Sequence, residues 1–300
     1  MTVSAVLVNP ARIANREGLR LAISRALAQD DWPEPAWFQT TSEETGESQT
    51  RDAVASGAEV LFVCGGDGTV RAAASALAGT DVALAVLPSG TGNLLALNLG
   101  LPANVVQGVR LATRGGRRRI DLGEVDGLTF TIAAGIGMDA EMLADTSHRA
   151  KHRLGWAAYA AAGLRHLGDP RFPAQVRLDG GPELQREVRS VLVANVGRLP
   201  GGMSLVRNAL PDDGLLDVVV IAPRWLHQWV GILLSLLGRG SGGGRLETFK
   251  ARRVEVIAGR PQAREADGEL LAPGSVLSVV VRESALTVCV PASGQTAGRR

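Results

Sequence analysis

Two glycine-rich turns constrain this chain more than any other feature. Gly65-Gly66-Asp67-Gly68-Thr69 follows the continuous apolar stretch Glu59 to Cys64 and precedes a helical pattern. Pro88-Ser89-Gly90-Thr91-Gly92-Asn93 follows a second such stretch, Val82 to Leu87, and again opens a helix, with Asn93 placed as its N-cap. Glycine lets backbone adopt positive φ and approach a ligand closely. The helix that follows turns its free N–H groups and positive dipole end toward an anion. Ligands of parallel α/β sheets sit at the carboxyl ends of the strands. Asp67 would repel a phosphate there unless it holds a cation or a donor, and a divalent ion resolves that conflict. One such turn could simply be a tight strand–helix connection capped by Asp67. Two of them, at the ends of successive strands, point to a nucleotide site.

The surrounding pattern is βαβαβαβα. Val3 to Val8, Ala36 to Thr40, Glu59 to Cys64 and Val82 to Leu87 read as strands, and Arg16 to Ala28, Glu44 to Ser56 and Thr69 to Leu77 as helices. This predicts a parallel α/β domain over residues 1–120, with a linker near 113–119. Beyond Ile120 the rhythm turns β-rich. The expected strands are Leu128 to Ala134, Ala174 to Leu178, Val188 to Val196, Leu215 to Ile221, Arg253 to Ala258, Val276 to Val281 and Leu286 to Val290. Helices are expected from Arg153 to Leu167 and from Trp225 to Leu237, with a flexible loop at Ser241 to Gly244. That composition predicts an antiparallel sandwich or barrel over 121–291, followed by a disordered tail, 292–300.

Composition narrows the function classes. A net charge of +2 is too small to imply nucleic acid. Cys64 and Cys289 are the only cysteines and stand in apolar runs, so a reduced cytoplasmic protein is expected. No signal peptide and no run long enough to span a bilayer is found. Walker, dinucleotide-fingerprint, HExxH and nucleophile-elbow motifs are absent. His148 and His152 have metal-ligand spacing but basic neighbours, and read as a solvated helix face. Arg114, Arg117, Arg118 and Arg119, with Arg149, Lys151 and Arg153, form either solvated surface or a face for anionic lipid. Trp225, Trp229 and the apolar residues to Leu237 form either core, an interfacial helix or a lipid pocket.

The two turns in this order resemble the diacylglycerol kinase catalytic domain in its bacterial lipid-kinase form, and the resemblance runs to about Pro291. It implies a Rossmann-like nucleotide domain, a β-sandwich domain, and an active site in the cleft between them. It implies ATP bound through Asn9, Pro10, Thr41, Gly65, Gly66, Asp67, Gly68, Thr69, Arg71 and Thr91. Asp121 in Ile120-Asp121-Leu122-Gly123 matches a family acidic residue, and Asp267-Gly268-Glu269 matches a late acidic motif in which Glu269 accepts a proton. Leu210-Pro211-Asp212-Asp213-Gly214-Leu215 resembles a Mg²⁺ loop, with the carbonyls of Leu210 and Leu215 and the Asp213 carboxylate as ligands. Asp67, Asp121 and Glu269 are the expected catalytic residues and could meet at one Mg²⁺. Two positions depart from the pattern: Ala11-Arg12-Ile13-Ala14 follows Asn9-Pro10, and Arg71-Ala72 stands where the family often has Asn-Glu.

The implied activity is transfer of the ATP γ-phosphate to a lipid hydroxyl such as that of diacylglycerol, a step of phospholipid metabolism. The protein would visit the membrane surface peripherally, and a homodimer stays open. An NAD kinase is the alternative enzyme, disfavoured by Asn93-Leu94 where that family carries an Asn-Glu or Asn-Asp pair. A non-catalytic nucleotide or lipid sensor of the same fold is the alternative outside enzymes.

Overall fold

The computed structural model of the chain describes residues 2–89, 92–138, 140–141, 170–199, 203–236 and 246–292. It forms two compact units, 1–120 with 284–300, and 121–283.

In the first unit β1 (Ser4–Val8), β2 (Ala36–Gln39), β3 (Val60–Gly65) and β4 (Ala83–Pro88) pair in parallel in the order β4-β3-β1-β2. Every residue of β1 and β3 is buried, which is why these strands, Ser4 apart, run apolar instead of alternating. The helices are α1 (Arg16–Ala28), α2 (Glu47–Ala55), α3 (Asp67–Leu77), α4 (Leu94–Leu99) and α5 (Val105–Arg114). Ile23 and Leu27 of α1, Phe62, Leu87 and Val109 share one core. The chain leaves β1 toward β2 on one side, while β3 lies on the other. The carboxyl ends of β1 and β3 therefore make the topological switch point where such sheets bind ligands.

Three boundaries differ from expectation. α2 starts three residues late because Thr41 to Glu44 is already a closed turn, Thr41 N–H donating to the Glu44 carbonyl at 3.0 Å. α3 starts at Asp67, so the end of the glycine-rich turn is its first helical turn. The stretch expected as a linker near 113–119 is the end of α5 and the start of β5 (Gly116–Val125), and the chain crosses to the second unit within that strand.

The second unit is antiparallel. Its strands are β6 (Leu128–Phe130), β7 (Ala133–Gly137), β8 (Phe172–Leu178), β9 (Leu184–Val188), β10 (Ser190–Ala194), β11 (Leu216–Ile221), β12 (Leu246–Ala251), β13 (Arg253–Ala266) and β14 (Glu269–Val290), with α6 (Leu226–Leu236) between β11 and β12. The path β12-β11-β10-β7-β13-β14 is joined by β8 beside β13, β9 beside β8, and β6 beside β5. β13 changes partner along its length. Val254 to Ala258 pairs with β8, and Arg264 to Ala266 pairs with β7. The register shift between Ile257 and Gln262 holds Gly259 and Pro261, and Pro261 has no N–H to give to a ladder. Phe130, Phe172, Ile136, Val193, Val218 and Val256 fill the core.

Some expected strands divide and others merge. Leu128 to Ala134 is two strands, because the amides of residues 131–133 donate to a side chain instead of to a ladder. Val188 to Val196 likewise breaks at Arg189, whereas Val276 to Val281 and Leu286 to Val290 belong to one strand, β14. Its last residues return to the first unit, where Val288 pairs in parallel with Leu84 and Leu286, Val288 and Cys289 are buried. The second compact unit thus ends at Glu283, because the apolar side chains beyond it find their core in the first unit. The helix expected from Arg153 to Leu167, His148, His152, the loop 241–244 and the tail 293–300 lie outside the described residues.

Candidate functional site

In the first unit the site gathers at the switch point. Asn9 follows β1, and its N–H donates to the Cys64 carbonyl at 2.9 Å, continuing the β1–β3 pairing by one residue. Its side-chain amide donates to the Thr69 hydroxyl at 3.3 Å, while its Oδ1 accepts from Ala11 N–H at 3.1 Å and caps the short 3-10 turn Pro10–Arg12. That cap shapes the segment Ala11 to Ala14, where the sequence departs from the family pattern. Gly65 is required, since a Cβ there would lie 2.6 Å from the Thr69 Cβ. Gly66 and Gly68 are different: a Cβ on either would meet nothing within 4 Å, so the turn presents bare backbone to open space at the start of α3.

Asp67 does not cap its own turn. Its carboxylate accepts from Asn93 N–H at 3.0 Å and from Leu94 N–H at 2.7 Å, which closes the second glycine-rich turn onto the first. Gly92 must lack a side chain because a Cβ there would lie 2.4 Å from the Asp67 Oδ2. The conflict between an acid and a phosphate site is therefore met by backbone donors as well as by any cation. Asn93 opens α4 in the left-handed region, φ 45°, and its side chain makes no capping bond; Asp67 performs that task. Arg71 is buried on α3. Thr41 is exposed, and its hydroxyl accepts from Glu43 and Glu44 N–H at 3.3 and 3.0 Å. Gly90 and Thr91 lie outside the described residues.

The expected basic patch is largely paired within the first unit. Arg114 binds Asp30, Arg117 donates to the Ala112 carbonyl at 2.8 Å, and Arg119 reaches Asp81 at 2.7 Å. Arg149, Lys151 and Arg153 are outside the described residues. Neither cysteine is a nucleophile: burial pushes the Cys64 thiol up to about 12 and Cys289 to about 11.

In the second unit Asp267 and Gly268 form a two-residue hairpin turn between Ala266 and Glu269. Both have positive φ, 48° and 78°, as a type I′ turn requires. The turn is more than a connection. The Asp267 carboxylate accepts from Thr131 N–H at 2.7 Å, the Thr131 hydroxyl at 2.9 Å, Ile132 N–H at 2.8 Å and Ala133 N–H at 3.1 Å. Burial raises the Asp267 carboxyl above its ordinary range, and these four bonds oppose it. Glu265 adds a bond from Gly268 N–H at 2.8 Å. Glu269 is exposed at the start of β14, on a turn held by these five bonds.

Asp121 is buried and fixes the loop before β11. It donates its N–H to the Pro211 carbonyl at 2.6 Å, and its carboxylate accepts from Gly214 N–H at 2.7 Å. Asn195 was not singled out in the sequence. It is buried and donates to the carbonyls of Asp121 at 2.8 Å and Thr131 at 3.2 Å, linking the two acidic motifs of this unit. It sits one residue beyond a strand with no local motif to mark it.

The loop expected to hold Mg²⁺ faces a lysine of β12. The Lys250 ammonium binds the Asp213 carboxylate and lies 4.0 Å from Asp217, while Asp213 Oδ1 accepts from Leu215 N–H at 3.1 Å. Mg²⁺ demands a near-octahedral set of oxygens at about 2.0–2.1 Å. Lys250 thus sits on the one carboxylate among the expected donors Leu210, Asp213 and Leu215. Among the described residues no three His, Cys, Asp or Glu side chains gather as a metal group.

The protein joins a parallel α/β unit with glycine-rich turns at its switch point to an antiparallel unit with a fixed hairpin carboxylate, the build of a two-unit kinase by its family models. Residues 4–125 match the model of the diacylglycerol kinase catalytic domain, and residues 131–290 that of the YegS C-terminal NAD kinase beta sandwich-like domain. The chain belongs to this family, the YegS-like lipid kinases. Proteins named "Probable lipid kinase YegS-like" are similar to it: one from Pseudomonas syringae pv. tomato is 36% identical, covering 85% of this chain and 84% of its own length. Another from Pseudomonas fluorescens is 35% identical over 96% of this chain and 95% of its own length. The fold matches a diacylglycerol kinase structure from Bacillus anthracis at TM-score 0.74 and 21% identity, covering 97% of each chain. It matches an NAD kinase from Archaeoglobus fulgidus at TM-score 0.55 and 14% identity, covering 96% of this chain and 94% of that one.

Proposed function

We propose that this protein transfers the γ-phosphate of ATP to the hydroxyl of a membrane lipid of the diacylglycerol class. The observation that carries the nucleotide half is the Asp67 lacing of two glycine-rich turns at the ends of adjacent parallel strands. The lipid half follows from family membership. The bare backbone of Gly66 to Thr69 and the first turn of α3 hold phosphate oxygens, and Asn9 and Thr41 border the nucleoside side. Glu269 accepts the proton of the acceptor hydroxyl as that oxygen bonds to the γ-phosphorus and the bond to ADP breaks. Asp267 and Asn195 act through others, one orienting Glu269 and one joining the Asp121 loop to the Thr131 segment. Mg²⁺ carried with the nucleotide, with Asp67 as a carboxylate that would hold it, would supply charge neutralisation on the phosphates.

The test is incubation with ATP labelled at the γ-phosphate and, in parallel, a total lipid extract, NAD or no acceptor. Label in an organic-phase lipid is the expected result. Label only in NADP would replace this reading with the NAD kinase alternative, which the fold likeness keeps in view.

A further inference from the structure

We infer that α6, with Trp225 before it, is the face on which this protein rests against an anionic lipid surface; the inference rests on the reading of the acceptor as a membrane lipid. α6 is apolar on two sides. Its inner side, Trp229, Ile232 and Leu236, packs with Leu205, Val219 and Ile221. Its outer side is Val230, Leu233 and Leu234, at the i, i+3, i+4 spacing of a single helical stripe, and these are 56%, 50% and 40% exposed. Trp225, just before the helix, is 66% exposed. These are four of the ten exposed large hydrophobic side chains among the described residues, gathered on one short segment. A helix resting on a protein core in water ordinarily turns charged residues outward, and α6 has no Asp, Glu, Lys or Arg at all. Apolar side chains clustered this way on a surface mark a contact.

Charge selects the partner. Between Asp217 and Glu247 the sequence contains no acidic residue and three arginines, Arg224, Arg239 and Arg245. Arg224 is exposed beside Trp225, and the Arg189 guanidinium stands 5.9 Å from the centre of the Trp229 ring. An apolar stripe with a tryptophan at its end, with Arg224 beside it and no acidic residue of its own, fits the boundary between acyl chains and anionic headgroups. A second copy of this chain is a poorer occupant. A stable dimer covers about 800 Å² on each partner, and four half-exposed side chains supply only part of that. No described helix is long and apolar enough to cross a membrane, so the contact is one of lying on the surface.

The experiment is co-sedimentation, without nucleotide, with vesicles of phosphatidylcholine alone and of phosphatidylcholine mixed with phosphatidylglycerol. Wild type and the triple variant Val230→Ser, Leu233→Ser, Leu234→Ser are compared, with thermal melting to verify that both are folded. Wild type is expected on the mixed vesicles and to be released by salt, and the variant to bind about tenfold more weakly or worse. If the variant does not fold, Trp225→Ser, outside the helix, takes its place, with the same loss expected. Equal binding by folded variant and wild type, or no wild-type binding to the mixed vesicles, overturns the inference. So does a wild-type dimer in sedimentation equilibrium that the variant dissociates. Phosphorylation of a short-chain diacylglycerol in detergent separates the two readings. Turnover there without vesicle binding sinks this inference alone, and vesicle binding without any lipid phosphorylation sinks the kinase reading alone.

Discussion

Asp67 and Glu269 are both carboxylates with different proposed roles, and their substitutions should separate accordingly. Asp67→Asn keeps the shape but sets an amide N–H₂ against one of the two N–H groups that the carboxylate accepts from. The expected cost is about 1–3 kcal/mol of stability together with lost activity, read in one urea titration and one turnover assay. Gly92→Ala forces the same pair apart from the other side, at about 1–3 kcal/mol. Glu269→Gln is exposed and should leave the urea midpoint unmoved while lowering turnover about 10²–10⁴-fold. A folded, active Glu269→Gln variant would remove the general base from this site. Asp267→Asn should unsettle both quantities, with turnover falling while KM for ATP stays put, because its effect passes through the hairpin and not through the nucleotide. Of these residues, Asp67 and Glu269 were legible in the sequence as members of motifs. Asp267 was legible only as a turn, since the amides it accepts from stand as much as 136 positions upstream. Asn195 was not legible, because a buried amide between two carbonyls leaves no trace in spacing.

Elements were legible where a strand is buried on both faces or a glycine turn ends it. β1, β3 and β4 stand close to where the apolar runs placed them, and α1 runs from Arg16 to Ala28 as expected. The long strands were not legible. Gly259 and Pro261 in β13, and Pro273-Gly274 in β14, read as terminators, yet each sits where the ladder shifts register or a neighbour changes. Two predictions belong at this scale. Asp30, just beyond α1, binds Arg114 and Thr113 of α5, its carboxyl covered by those partners and not by the core. Arg114 first, then Thr113, hold that carboxyl below its ordinary value of 3.8. Its contribution is therefore present above that value and is lost as pH falls through the lower folded value. Asp30→Asn should lower the urea midpoint near neutrality and flatten its fall in acid, measured as a pH series. Lys250→Met removes the cation between Asp213 and Asp217. The melting temperature should drop by about 2–4 °C. Adding millimolar Mg²⁺ after chelation should leave wild type unmoved; a wild-type rise that Asp213→Asn abolishes would restore the metal to that loop.

At the scale of the whole molecule, the chain enters the second unit within β5 and leaves it within β14. Neither crossing lies in a linker, so no Gly- or Pro-rich boundary announced where the second unit ends. The apolar alternation of β14 showed a strand without showing that its last residues serve the first unit. Residues 1–120 alone should accordingly behave as an incomplete fold. Appending residues 284–292 through a flexible tether should raise the cooperativity of its urea transition, and an already cooperative 1–120 fragment would count against this.

On the ribosome this layout has a cost in time. The edge of β4 that Val288 covers stays open from the moment residue 88 emerges until residue 288 has followed it. Through that interval the first unit carries an unpaired strand edge, which is a template for pairing with other chains. Slowing translation between residues 88 and 288 would lengthen that exposure without touching the finished protein.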